Sequence, residues 1–216
     1  VHEPRRDPIQ EPKVALRSMT LEDADVIAGW AADEDFCRAA EWSLGLSREE
    51  HRQFQARLIC SPPSDLVRLG AVLEGQLVGY LALHGDEPHR RELGFLIGPR
   101  TLWGRGLGRA TARAGLRRGF EEMHLDEIWA EALDANHASI RILQRLGLRE
   151  TRPGEPGNYR DQPTYYRQFV ITARPDEPPN TPRPQWCGHR REAFTAHAAE
   201  RTVTSGSSRS ERRQCR

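Results

Sequence analysis

Two short segments carry residues whose types and spacing suit chemistry. The first, LWGRGLGRATARA, runs from Leu102 to Ala114 and sets Gly104, Gly106 and Gly108 at two-residue intervals ahead of a run of helix formers. N–H groups at the start of a helix lack intrahelical partners and carry the positive end of the helix dipole. Glycines let an anion approach that backbone, and Arg105 and Arg109 add cationic charge, so the segment suits a pyrophosphate. Neither common nucleotide motif is present. A Rossmann turn needs its third glycine one residue later, and no Gly-Lys-Ser/Thr follows for a Walker turn. Taken alone, the segment also reads as a glycine-softened loop before a core helix.

The second segment runs from Asn136 to Leu148, NHASIRILQRLGL, and follows a predicted strand. Together the two segments resemble the GNAT superfamily of acyl-CoA-dependent N-acetyltransferases. The resemblance spans residues 14–172, and the opening VALRSMTLEDADVIAGW is similar to the ribosomal-protein (Rim-type) branch. It implies acetyl-CoA as co-substrate and a primary amine, either a protein N-terminus or a small molecule, as acceptor in direct attack. The implied pyrophosphate turn is Trp103, Gly104, Arg105, Gly106, Leu107, Gly108 and Arg109. Trp103 stands where the family usually has Gln or Arg, a variant familiar in the Rim-type branch. Asn136 and Ser139 fall where the family packs a helix along the pantetheine arm. The main chain of Phe95, Leu96 and Ile97, on the strand before the turn, is implied as oxyanion donor and pantetheine partner.

Acyl transfer to an amine needs a deprotonated nucleophile, a stabilised oxyanion and a proton for the departing sulfur. Many family members carry a Tyr after the motif leucine as the acid, whereas this chain has Gln144. The Rim-type resemblance, whose members carry a serine at this motif position, implies Ser139 as first candidate for proton donor or thiol ligand, and Glu92 is the candidate for relaying the ammonium proton through water. His84 is a third titratable candidate. Tyr165 and Tyr166 read as strand packing. Acidic residues Asp33, Glu34, Asp35 and Glu41 suit attraction of a cationic amine or simple solvation of a helix end. The missing Tyr motivates one alternative from another class, a catalytically silent acyl-CoA-binding regulatory module.

The elements that must hold these residues follow from hydrophobic period. VALR (14–17) is a short strand, and Thr20 with Asp23 caps a first helix; Ser47 to Glu50 opens a second. LVRLGAVL (66–73) and QLVGYLAL (76–83) flank the hairpin signal Glu74-Gly75, and RELGFLI (91–97) completes a meander. A helix over 106–123, a strand over 127–133 and an Asn136-capped helix ending at Gly147 come next. LRET (148–151) and YYRQFVIT (165–172) are the last strands, separated by the loop RPGEPGNYRDQP. Three consecutive strands joined by tight turns exclude a doubly wound sheet. The expected fold class is α+β, with a mixed, mostly antiparallel central sheet flanked by helices.

Composition sets the outer limits. Residues 14–173 form the expected N-acetyltransferase domain, 1–13 a flexible lead-in, and 174–216 a Pro-, Ser- and Arg-rich tail expected to be disordered. A formal net charge of +1 gives no global pull towards nucleic acid or acidic membrane, so neither is an expected partner. An amine substrate is the expected partner, and a homodimer is left open. The four cysteines form no C-x-x-C pair, which suits free thiols and, with no apolar h-region at the start, a cytoplasmic protein. No metal is expected, because no H-E-x-x-H is present and Cys187-Gly188-His189 lies in the tail.

Overall fold

The computed structural model describes residues 12–173; the expected disordered tail, most of the lead-in and Cys187-Gly188-His189 lie outside the described residues. The chain runs β1 (Ala15–Arg17), α1 (Asp23–Trp30), α2 (Glu34–Ala39), α3 (Arg48–Cys60), β2 (Leu66–Leu73), β3 (Gln76–His84) and β4 (Arg90–Ile97). It continues with α4 (Leu107–Arg117), β5 (Glu127–Leu133), α5 (His137–Arg145), β6 (Arg149–Tyr159) and β7 (Gln162–Thr172). The strands form one seven-stranded sheet in the order β1-β2-β3-β4-β5-β7-β6. Every neighbouring pair is antiparallel except β4 and β5. The mixed, mostly antiparallel sheet is the expected one.

The parallel pair is short. Its register holds only for Arg90 with Glu127, Arg91 with Ile128 and Glu92 with Trp129. Beyond those residues β5 stays with β7 through to Leu133, and β4 stays with β3 through to Ile97, so the two strands part. The closed end is clasped by the half-buried Arg90, whose Nε donates to buried Glu127 at 2.5 Å. Asp126 and Glu127 also donate their N–H groups to His89 O.

Helices cover both faces. α4 lies close against β3 and β4 because glycines line its inner side: a Cβ on Gly115 would meet Leu93 at 2.8 Å. The main core joins Leu81, Leu83 and Leu93 to Ala112, Ile128, Leu143 and Phe169. On the other face, α1 and α2 gather Ile27, Trp30, Phe36, Trp42 and Leu77 into a second core.

Three local expectations change. The segment 33–42 contains α2, capped by Asp33, which accepts from Phe36 N. The helix expected over 106–123 is α-helical only to Arg117 and finishes as a π-turn over Arg118–Glu122, which presses Gly119 against Ile128. The expected loop 152–163 is mostly strand: β6 runs to Tyr159 and turns through Arg160 and Asp161, both at positive φ. Proline is tolerated there because β6 is an edge strand, and its register slips around Pro153–Pro156. Of the two described cysteines, Cys37 is buried and its thiol donates to Ala31 O; Cys187 and Cys215 lie outside the described residues.

One of the two expected caps is as read; the first helix is capped at Glu22 rather than Thr20, with no side-chain cap bond. Ser47 and Glu50 form a full capping box. Asp23 accepts from Thr20 N at 2.7 Å and pairs with both Arg17 nitrogens, although α-helical bonding starts only at Asp23. No helix among the described residues is long and apolar enough to cross a membrane.

Breaking the clasp tests its role. Arg90→Ala leaves a buried carboxylate unpaired and is expected to lower stability by about 3 kcal/mol in urea denaturation. Replacing both partners with Met is expected to recover most of that loss, since a buried ion pair gains little over apolar packing.

Candidate active site

The gap between β4 and β5 opens at the carboxyl ends of two parallel strands, where ligands of such strand pairs characteristically sit. Each strand leads into a helix at that end: β4 into α4 and β5 into α5. The two helix N-termini therefore border the opening.

They are built differently. Asn136 caps α5, its side chain accepting from Ser139 N at 3.2 Å. The N-terminus of α4 has no side-chain cap. Its N-cap is Gly106 at φ 80°, with Gly104 at φ 75° before it, a conformation in which glycine carries no Cβ penalty. A Cβ on Gly104 would meet nothing within 4 Å, and one on Gly106 only Pro12. An open turn facing uncapped amides fits a pyrophosphate. Gly108 differs, since its Cβ would lie 3.0 Å from Ile142 and near Phe95 and Ile97. It serves the packing of α4 on α5 and β4.

Trp103 turns inward as well. Its Nε1 donates to Ile97 O at 2.8 Å and its ring packs near Phe36. Arg100 ties the same segment to α2 by ion pairs with Asp33 and Asp35.

The register fixes which β4 amides face the gap. Gly98 N donates to Val78 O, which continues the β3–β4 ladder and makes Leu96–Tyr80 and Gly94–Ala82 hydrogen-bonded pairs. Alternation turns the main chain of Leu93, Phe95 and Ile97 to the opposite edge. Of the three residues implied as main-chain partners, Phe95 and Ile97 therefore face the gap. Leu96 faces β3, and Ile97 O is already occupied by Trp103.

Side chains on β4 alternate too. Leu93, Phe95 and Ile97 point to the α4 face, whereas Glu92, Gly94 and Leu96 point to the other. Ser139, on α5, and Glu92 thus lie on opposite sides of the sheet, joined only through the gap. His84 is spent in a 3.0 Å contact with Asp65.

Around Glu92 the structure assembles partners that sequence reasoning does not reach. Tyr166, which the sequence suggests is strand packing, donates its hydroxyl to Glu41 at 2.6 Å. The Glu92 and Glu131 carboxylates are near enough to act on the same phenol. Burial, the neighbouring Glu41 and these two carboxylates raise the Tyr166 pKa and keep it protonated. Burial also pushes the Glu41 carboxyl above its ordinary value, with Glu131 adding to the shift and the Tyr166 hydrogen bond opposing it. Glu41 sits at φ 56°, a left-handed conformation uncommon outside glycine. Tyr166 finds room because β6 carries Gly154 and Gly157 beneath it, where a Cβ would come within 2.9 Å. Of the acids at 33–42, Asp33, Glu34 and Asp35 are paired with Arg100 or Arg38, and Glu41 alone reaches this cluster. Among the described residues no group of His, Cys, Asp and Glu is placed to hold a metal.

The family model of the acetyltransferase (GNAT) domain matches residues 13–149, well over half of the chain, and the chain belongs to that family of acetyltransferases. A GNAT-family acetyltransferase from Bacillus anthracis superposes with a TM-score of 0.63 at 21% identity, over 76% of this chain and 96% of that one. A Vibrio cholerae spermidine N-acetyltransferase, solved with CoA and spermine, gives 0.62 at 16% identity over 74% and 95% of the two chains. An aminoglycoside acetyltransferase solved with coenzyme A gives 0.60 at 19% identity over the same shares, 74% and 95%. All three share the fold.

Glu41→Gln keeps an acceptor for the Tyr166 hydroxyl and removes a charge whose burial is unfavourable. The folded carboxyl holds its proton more tightly than the unfolded one. Its contribution is therefore complete below the unfolded pKa and lost as pH rises through the folded pKa. The variant is expected to gain on the order of 1 kcal/mol near pH 8 and nothing measurable near pH 3.5, read from denaturation midpoints at both values.

Proposed function

We propose that this protein transfers an acetyl group from acetyl-CoA to a primary amine by direct attack, with no covalent enzyme intermediate. One observation carries the reading. The β4–β5 gap opens between an uncapped, glycine-lined helix N-terminus on one side and the Glu41, Glu92 and Glu131 carboxylates on the other. An anionic co-substrate and a cationic acceptor suit those two surroundings.

Acetyl-CoA supplies the activated thioester. Gly104, Arg105, Gly106 and Arg109, with the free amides of α4, take the pyrophosphate, and Trp103, Leu107 and Gly108 hold the turn in place behind it. Asn136 caps α5 and orients its first turn along the pantetheine arm. Glu92 receives the proton of the acceptor ammonium through water, which frees the nitrogen lone pair for attack. Phe95 N–H bonds the carbonyl oxygen as it gains negative charge. The Ser139 hydroxyl, on the far side of the gap, delivers a proton to the departing thiolate.

The acceptor is either a protein N-terminus, as the Rim-type likeness of the opening segment favours, or a small-molecule amine. Two relatives support the second kind by what their descriptions state: one acetylates spermidine and another aminoglycosides. The catalytic domain in this reading is 14–173, with 1–13 and 174–216 as appendages, and the setting is the cytoplasm.

Two measurements test the reading. Thiol release from acetyl-CoA across a panel of primary amines should show turnover. Tight CoA binding with no turnover on any amine would instead support a silent acyl-CoA-binding module. In the active protein, Ser139→Ala is expected to lower kcat by about 10- to 100-fold with little change in KM for acetyl-CoA.

The turn has its own test. Gly106→Glu places a carboxylate beside the pyrophosphate, and Gly106→Ala controls for strain at positive φ. The Glu variant is expected to raise KM for acetyl-CoA at least about tenfold over the Ala variant. Equal values in the two variants would remove the turn from the binding site.

A further inference from the structure

Gly94 is the one exposed residue of β4, although that strand lies at the centre of the sheet. Neither backbone nor packing explains a glycine there. Its φ is not left-handed, and an added Cβ would meet only Ala82 Cβ, at an ordinary 3.9 Å. A strand-interior glycine costs roughly 0.5–1 kcal/mol relative to alanine. An unexplained glycine of this kind marks a place where a ligand comes close to the backbone.

The surroundings say which ligand. Gly94 pairs across the ladder with Ala82, so two of the smallest side chains lie side by side on the acceptor face. Tyr80, Leu96, Glu92 and Trp129 stand around them at neighbouring ladder positions. The result is a shallow slot one small group deep, with larger residues as its rim. The next peptide N–H along the strand belongs to Phe95 and faces the gap. A carbonyl oxygen bonded to it would bring its acyl carbon alongside Gly94, the preceding residue of the strand.

We propose that Gly94 is a specificity-determining residue: its missing side chain gives the acyl group of the donor its place, and Ala82 closes the slot and limits acyl length. This rests on the transferase reading of the gap and deepens it. Gly94 acts through clearance alone and exchanges no proton, so its effects must scale with acyl size.

The experiment compares acetyl-CoA and propionyl-CoA, using the best acceptor of the amine panel, in the full chain and two variants. Gly94→Ala is expected to keep or slightly raise the thermal midpoint and to keep the affinity for CoA itself. It should lower kcat/KM for acetyl-CoA at least about tenfold and for propionyl-CoA further still, since one methylene in a fitted pocket is worth roughly 10- to 200-fold. Ala82→Gly deepens the slot and should raise the propionyl-to-acetyl ratio several-fold, a gain that simple loss of structure does not produce. A Gly94→Ala protein that binds CoA and turns over both donors at wild-type rates overturns the proposal. So does an unchanged donor ratio in Ala82→Gly. Absence of thiol release from the wild-type chain overturns the transferase reading itself, whereas unchanged donor selectivity in an active background overturns only the role of Gly94.

Discussion

The parting of β4 from β5 after three paired residues is the constraint on which the site depends. In a continuous sheet, Phe95 N–H would be satisfied by β5 and unavailable to any ligand. Here each strand keeps its outer neighbour, so the gap opens without loosening the rest of the sheet. Main-chain donors left facing such a gap carry a penalty until something bonds to them. The fold thus holds polar main chain in readiness, and the Arg90–Glu127 clasp fixes where the opening begins. That clasp is an exchange rather than a gain, because Glu127 Oε2 is buried without a partner.

The gap separates two electrostatic regimes that could not share one pocket. On the α4 side are free helix amides and arginines, which favour anions. On the other side stand three carboxylates and a phenol held in its neutral form. An amine must lose a proton before attack, whereas a thiolate must gain one after departure. In the proposed reaction, the placement of Glu92 and Ser139 on opposite faces would keep those two proton transfers from short-circuiting.

Most of the scaffold is legible in the sequence because it rests on local signals. The β2–β3 hairpin, the Ser47–Glu50 capping box and the strand over 127–133 follow from turn chemistry, side-chain caps and period. What resists such reading depends on distant neighbours. The residues 152–159 look like a loop because they hold proline and glycine; as an edge strand they tolerate the prolines, and their glycines make space for Tyr166. Tyr166 itself has the alternation of a packed strand residue, and nothing nearby in sequence announces Glu41 as its partner, 125 residues away. The glycine turn is half legible. Its spacing points to Gly104, Gly106 and Gly108 alike, yet only the first two face open space, and Gly108 is a packing residue.

Glu41 shows how a strained residue is held where solvent would release it. The ion pairs around α2, from Arg100 to Asp33 and Asp35 and from Arg38 to Asp161, are partly exposed, and pairs of that kind contribute little each. The stronger tether is aromatic. Phe36 packs edge-on to Trp42 at 5.0 Å and to Trp30 at 6.3 Å, and the Trp30 ring lies so close to Gly98 that any Cβ there would overlap it. Glu41 lies between the end of α2 and the buried Trp42, so its left-handed backbone is imposed from both sides. Because Gly98 begins the segment that leads to the glycine turn, the same aromatic cluster sets both the Glu41 carboxylate and the approach to the α4 N-terminus. A substitution that loosens Phe36 would therefore disturb the Glu41 cluster and the glycine turn together, although Phe36 itself packs within the second core, behind both of them.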